Sequence, residues 1–315
     1  MVEVARGGRF RAIAQLLSLV EQDHPQLPEV TAALTPHTAG AVVIGLTGPP
    51  GAGKSTMTSM LVSAFREEGR RVGVLAIDPS SPFSGGALLG DRIRMTQHST
   101  DKGVFIRSMA TRGHLGGLSW ATPQAVRVLD ACGFDVILIE TVGVGQSEID
   151  IAKLADTTVV LLAPGLGDAV QAAKAGVLEI ADVFVVNKAD RDGADEVARD
   201  LKQMISFGRA APSAPSWRQP VVKAVASRGE GAEDILDALR DHREWIDSHG
   251  ELEGRQTNRA AGELESIVLS RLRSELDRLS DETMFSTVAR KVARGALDPF
   301  TAANQLITAL GLAGT

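Results

Sequence analysis

The stretch Gly48-Pro49-Pro50-Gly51-Ala52-Gly53-Lys54-Ser55 constrains this chain more than any other eight residues. It fits G-x-x-x-x-G-K-[ST], the pattern of a loop that wraps a phosphate chain in backbone N–H groups. The apolar, β-branched run 41–47 precedes it and a helix-like stretch follows. The loop therefore falls where a strand gives way to a helix N-terminus, whose dipole favours anions. In that setting Lys54 neutralises the β- and γ-phosphates, and Ser55 offers its hydroxyl to Mg2+. The loop from Gly48 through Ser55, with Thr56 behind it, is the expected phosphate-binding set.

The surrounding pattern supports an α/β fold. Short apolar runs at 41–47, 72–77, 136–139, 157–163, 183–186 and 221–225 alternate with helix-like stretches. Such alternation predicts βαβ units, a parallel sheet and helices on both faces. Residues 1–39 read as a helical extension, because Phe10, Ile13, Leu17 and Val20 recur at three- and four-residue spacing before Pro25, Pro28 and Pro36 break the pattern. The sheet domain is expected at 40–250. From 251 to 315 the pattern is helical, with an apolar stripe at Leu264, Val268, Leu272, Leu276 and Leu279, a second helix over 281–294, and a third started by Asp298-Pro299. The stripe must pack on the domain's own flank or on a second subunit.

Asn187-Lys188-Ala189-Asp190, closing the run 183–186, fits N-K-x-D. The Asp190 carboxylate can accept from guanine N1–H and the 2-amino group, donors that adenine lacks there. Ala226 and Ser227, after the run 221–225, can offer backbone N–H groups to guanine O6. Asp78 and Glu140 end apolar runs, where a magnesium-associated carboxylate normally sits. Glu140 leads into a glycine-containing loop, in which Gly143 lets the backbone approach the γ-phosphate and Gln146 can orient a water. The stretch 79–119 reads as a long low-regularity loop of the switch or lid type. Asp91 lies within it, and local sequence alone leaves its role open.

Composition removes other classes. Thirty-three Lys plus Arg against 39 Asp plus Glu give a net charge of −6, and aromatics are only 4%, which argues against phosphate-driven or stacking-driven nucleic-acid binding. No apolar run approaches the ~20 residues of a membrane helix. Cys132 is the only cysteine, so no disulfide framework or cysteine-based zinc cluster is possible, and a reducing cytosol is the expected home. His114 has no second histidine or cysteine at metal-ligand spacing. No D-x-H-x-x-G pattern occurs, so the chain alone is not expected to hold cobalamin by a histidine loop.

Together GPPGAGKST, AIDPSSPFSGGALLGDR, RSMATRGHLGGLS, ETVGVGQSE, PGLGDAVQ and NKAD resemble the MeaB/ArgK GTPase family, which includes the human methylmalonic aciduria type A protein. The resemblance covers nearly the whole chain. It implies a P-loop G domain of the signal-recognition-particle and MinD-like class, with an N-terminal helical extension and a C-terminal dimerisation arm, hence a homodimer. It implies a slow, partner-stimulated GTPase that gates cofactor loading into adenosylcobalamin-dependent methylmalonyl-CoA mutase and protects or rescues it. By position it assigns Asp78, Asp91 and Glu140 to the metal site and switches, alongside Lys54 and Ser55. It also assigns Asn187, Lys188 and Asp190 to the base and Lys174 to a third switch loop. One departure is Ala169 in Gly167-Asp168-Ala169-Val170-Gln171, where the family usually carries an acid. The alternative reading is a nucleotide-dependent kinase of a lysine, arginine and ornithine transport system, an older label for such chains.

Overall fold

The computed structural model describes residues 1–78, 96–98, 100–110, 121–141, 147–165, 177–207, 216–281 and 283–309. It comprises two compact units, Met1–Ala260 and Ala261–Thr315.

The first unit is built on a seven-stranded sheet: β1 (Val42–Thr47), β2 (Val72–Asp78), β3 (Val104–Ala110), β4 (Val136–Thr141), β5 (Thr157–Leu162), β6 (Val183–Val186) and β7 (Val221–Lys223). The strand order is β3-β2-β4-β1-β5-β6-β7, and every pairing is parallel. Strands β4 and β5 are buried at every residue, as a sheet covered on both faces demands. The order reverses about β1, because the chain leaves it toward β2 and later returns to its other side at β5. That reversal opens a crevice at the C-terminal ends of the central strands, where ligands of open α/β sheets bind.

Helices α1 (Val2–Arg6), α2 (Phe10–Glu21), α3 (Leu27–Leu34), α4 (Lys54–Glu67), α5 (Ala121–Ala131), α6 (Ser147–Leu154), α7 (Val177–Ile180), α8 (Ala194–Phe207) and α9 (Ala232–Ser248) surround the sheet. One core layer joins Met57 and Leu61 of α4 and Ile235 and Leu239 of α9 to Ile44, Leu46, Leu138 and Leu161. The other joins Ile13, Leu16 and Leu17 of α2, Leu129 of α5 and Ile151 of α6 to Leu75, Ile77, Ile137 and Ile139. The N-terminal extension is thus part of the domain core: Ile13, Leu16 and Leu17 are wholly buried, each contributing about 2 kcal/mol.

Several expectations need correction. Strand β3 lies inside the stretch read as irregular loop. Its sequence VFIRSMA is not continuously apolar, since β3 is an edge strand whose Arg107 is bonded by Glu21 and by Ser18 Oγ (3.1 Å) on α2. Pro28 does not break a helix but sits in the first turn of α3, where its missing N–H costs nothing. Glu140 does not end its strand, because β4 continues to Thr141. Asn187 follows β6, which is the fifth of the six apolar runs in the sequence but the sixth strand of the fold, because β3 precedes it.

A long helix, α10 (Glu251–Asp281), starts in the first unit. In the second unit, α11 (Thr283–Ala293) and α12 (Pro299–Ala309) match the expected second and third helices. Asp298 caps α12, accepting from Thr301 N–H at 2.9 Å. Leu264, Val268 and Leu269 of α10 are exposed by more than half of their surface.

Candidate nucleotide site

The loop after β1 turns on two glycines whose geometry no other residue supplies. Gly48 has φ +138°, and a Cβ there would lie 2.2 Å from Leu161 O on the neighbouring strand. Gly53, at φ +91°, caps α4, and its Cβ would lie 2.5 Å from Asn187 Nδ2. The loop is therefore pressed against β5 on one side and against the residue after β6 on the other. The N-terminus of the 14-residue α4 opens behind it, and the N–H groups of a helix's first turn favour an anion.

The cations of the site rest on loop carbonyls. Lys54 Nζ donates to Gly48 O (2.7 Å) and Pro49 O (3.1 Å), and Lys188 Nζ donates to Gly51 O (2.7 Å). These carbonyls hold both ammonium groups over the loop, where a phosphate chain can replace them as acceptors.

Asn187 is the hinge pin of the site. It is 2% exposed. Its Nδ2 donates to Ala52 O (2.8 Å), and its Oδ1 accepts from Ala226 N–H (3.1 Å). One amide thus joins the phosphate loop, the end of β6 and the turn Ala226–Arg228 that holds Ser227. Lys188 adopts φ +57°, the left-handed conformation that turns the chain back at the sheet edge. Asp190 is exposed, and its Oδ2 accepts from Arg228 (3.1 Å), so its carboxylate and the turn after β7 face each other.

Glu140 is 6% exposed. In register it lies beside Leu46 of β1 and Ala76 of β2. Its Oε1 accepts from Ser55 Oγ (2.6 Å) and its Oε2 from Thr58 Oγ1 (2.8 Å). A carboxylate and a serine hydroxyl meeting at a phosphate loop form an oxygen donor set of the kind a hard divalent cation takes, so these residues fit Mg2+. Among the described residues no group of three or more His, Cys, Asp and Glu side chains could hold a metal. Asp78 ends β2, but its side chain lies outside the described residues, as do Asp91, Gly143, Gln146 and Lys174.

Sequence reasoning missed Thr58 and Arg228. The only signal for Thr58 was its spacing, three residues after Ser55 and hence on the same helix face. Arg228 was signalled only by its place next to Ser227.

A model of the family "Methylmalonyl Co-A mutase-associated GTPase MeaB" matches residues 13–281. The chain belongs to the MeaB family of GTPases. A relative from Pyrococcus abyssi that carries a GTPase name is 47% identical, with 98% of this chain and 95% of that protein covered. The mouse mitochondrial methylmalonic aciduria type A homolog is 35% identical over 96% of this chain and 77% of its own length. GTPase ArgK of Escherichia coli K12 is 33% identical, with 96% of this chain and 93% of that protein covered. A solved structure described as a LAO/AO transport system kinase superposes with a TM-score of 0.68 at 26% identity, covering 98% of this chain and 96% of that one. The phosphate loop, the buried Asn187 bridge and Asp190 are thus parts of a GTPase. Among the described residues no helix is long and apolar enough to cross a membrane.

At the opposite end of the sheet lies a second polar cluster. Asp156 and Asp182 immediately precede β5 and β6 and are buried. Asp156 accepts from Val43 N–H (2.9 Å), Arg243 (3.3 Å) and Arg259 (2.9 Å). Asp182 accepts from Thr158 N–H (2.8 Å) and, through both oxygens, from Arg255 (2.8 Å each). His242 is fully buried and its Nδ1 lies 2.8 Å from Thr157 Oγ1. Its Nε2 lies 3.2 Å from Asp182 Oδ1. Burial pushes the Asp182 carboxyl up, but His242 and Arg255 outweigh burial and hold it below the usual carboxylate range.

Proposed function

We propose that this GTPase is a chaperone of an adenosylcobalamin-dependent methylmalonyl-CoA mutase, gating cofactor loading and protecting or reactivating the enzyme. The observation that carries the reading is the family match over residues 13–281, whose description names association with that mutase. The mouse relative, named for methylmalonic aciduria, supports it.

The geometry supports a mode of GTP binding. Phosphates replace the Gly48 and Pro49 carbonyls as acceptors for Lys54, while the N–H groups at the start of α4 face the anion. Asp190 accepts the two guanine donors, and Asn187 keeps the base loop and phosphate loop in register. Ser55 and Glu140, with Asp78 and Asp91, would hold Mg2+. When bound, the cation neutralises charge on the phosphate oxygens. Phosphoryl transfer depends mainly on positioning and charge, and Gln146 orients the water. Hydrolysis is slow until the client binds, and Asp91, Gly143 and Lys174 are the switch residues through which it acts. A homodimer forms through the exposed apolar face of α10.

The test is single-turnover hydrolysis with and without the methylmalonyl-CoA mutase of the same organism. Acceleration is expected, and Lys174→Ala should lower the stimulated rate more than the basal one. A mutase that neither binds nor accelerates turnover removes the chaperone reading and favours the transport-kinase alternative.

A further inference from the structure

We infer that Thr58 is a positioning residue of the magnesium site, fixing the orientation of Glu140; the inference rests on the reading of Glu140 as the carboxylate that faces Mg2+. Thr58 is wholly buried in α4, three residues after Ser55. A buried hydroxyl needs an acceptor, and Thr58 Oγ1 has two within reach: Lys54 O at 3.0 Å, the ordinary bond back along the helix, and Glu140 Oε2 at 2.8 Å. It has one proton to give. The carboxylate is the stronger acceptor, because a hydrogen bond to an ionised oxygen is shorter and roughly twice as strong as a neutral one. A bond to Lys54 O alone would make Thr58 mere helix packing, and would not place its oxygen 2.8 Å from a carboxylate on a strand 82 residues away.

The consequence lies in the rotation of the Glu140 carboxylate. The terminal torsion of a glutamate is broad, with no sharp minimum to hold the plane of the oxygens. Here each oxygen has its own hydroxyl: Oε1 takes Ser55 at 2.6 Å and Oε2 takes Thr58. Thr58 pins the oxygen away from Ser55 and thereby keeps Oε1 beside the serine hydroxyl, the pair of oxygens that would hold Mg2+. Thr58 acts through Glu140.

The experiment compares Thr58→Val, which keeps the shape and removes the hydroxyl, with Thr58→Ser, which keeps the hydroxyl. The readout is the rate at which a fluorescent GDP analogue is released as Mg2+ is titrated, and again in EDTA. Thr58→Val should raise the Mg2+ concentration at half effect about tenfold, the scale of a lost hydrogen bond to a charged group. Thr58→Ser should stay within about twofold of the wild type, and all three proteins should release nucleotide alike in EDTA. An unchanged Mg2+ response in Thr58→Val overturns the proposal. So does a Thr58→Ser variant as impaired as the valine, which would make the methyl group the cause, or an equal change in EDTA, which would place the effect in the loop. Glu140→Gln separates the two levels. If it keeps the wild-type Mg2+ response, Glu140 is not the metal's carboxylate, and the role of Thr58 falls with that reading. If it loses the response while Thr58→Val retains it, only the role of Thr58 falls.

Discussion

Replacing Asn187 by alanine should damage the empty protein as well as the liganded one. The side chain makes two bonds, to Ala52 O and from Ala226 N–H, and both partner residues are buried. Truncation leaves a carbonyl and an N–H without the amide that served them. A buried polar group left unpaired costs about 1–3 kcal/mol, so the pair costs about 2–6 kcal/mol. With ~3 kcal/mol as a working value, the melting temperature of a domain this size falls by roughly 6–12 °C. Asn187→Asp is the diagnostic control. It keeps an acceptor for Ala226 N–H but places a carboxylate oxygen against Ala52 O, so it should destabilise and also distort the phosphate loop. The assay is a thermal melt without nucleotide, paired with titration of a fluorescent GDP analogue. If Asn187→Ala loses nucleotide affinity while melting within a degree of the wild type, the amide does not join the loops before the ligand arrives, and the bridge is no part of the resting fold.

Gly48→Ala should abolish nucleotide binding and lower the melting temperature by several degrees, because its Cβ would meet Leu161 O at 2.2 Å; binding by equilibrium dialysis checks it. Asp190→Asn should weaken GTP and favour xanthosine triphosphate, since an amide can donate to the 2-oxo group but cannot accept both guanine donors; a nucleotide competition series decides. Arg255→Met leaves Asp182 buried without its bidentate partner and should cost about 3–5 kcal/mol by chemical denaturation. Asp182 has a depressed pKa in the fold, so its stabilising contribution is present above its unfolded value near ~4 and is lost as pH falls through the folded value. In Arg255→Met that acid loss should begin at higher pH. The double variant Leu264→Glu and Val268→Glu, on the exposed face of α10, should turn the proposed dimer into a monomer by light scattering; an unchanged mass refutes that face as the interface.

The phosphate loop and Asn187 were legible because each follows a continuously apolar strand, where a short motif has only one structural context. Strand β3 was not, because Arg107 interrupts its apolar run and is neutralised by Glu21, a residue 86 positions away. Thr58 looked like one more helix residue for the same reason, its acceptor lying on β4. Asp156 and Asp182 carry no signal in the sequence, since nothing local announces guanidinium groups arriving from α9 and α10. Local patterning identifies elements and contiguous motifs. Pairings across 73 to 103 residues are set by the sheet order, which chain periodicity does not encode.

The two ends of β5 and β6 show why the base of α10 should be counted with the GTPase body. At their C-terminal ends Leu161 closes on Gly48, and Asn187 bridges the loops. At their N-terminal ends Asp156 and Asp182 each take a backbone N–H of the neighbouring strand, so both carboxylates are fixed by the sheet itself. Arg255 and Arg259 then bind those carboxylates and also donate to Asp156 O (2.9 Å) and Leu154 O (3.0 Å). Removing one partner of such a buried pair costs far more than an exposed ion pair contributes. The first two turns of α10 therefore cannot swing independently without exposing an uncompensated buried charge. Any nucleotide-dependent rearrangement of the C-terminal segment must hinge beyond Arg259 or begin in the loops at the other end of the sheet. Arg255→Met distinguishes the clasp from passive packing, because only a clasp predicts that loss of one guanidinium moves the acid transition of the whole domain.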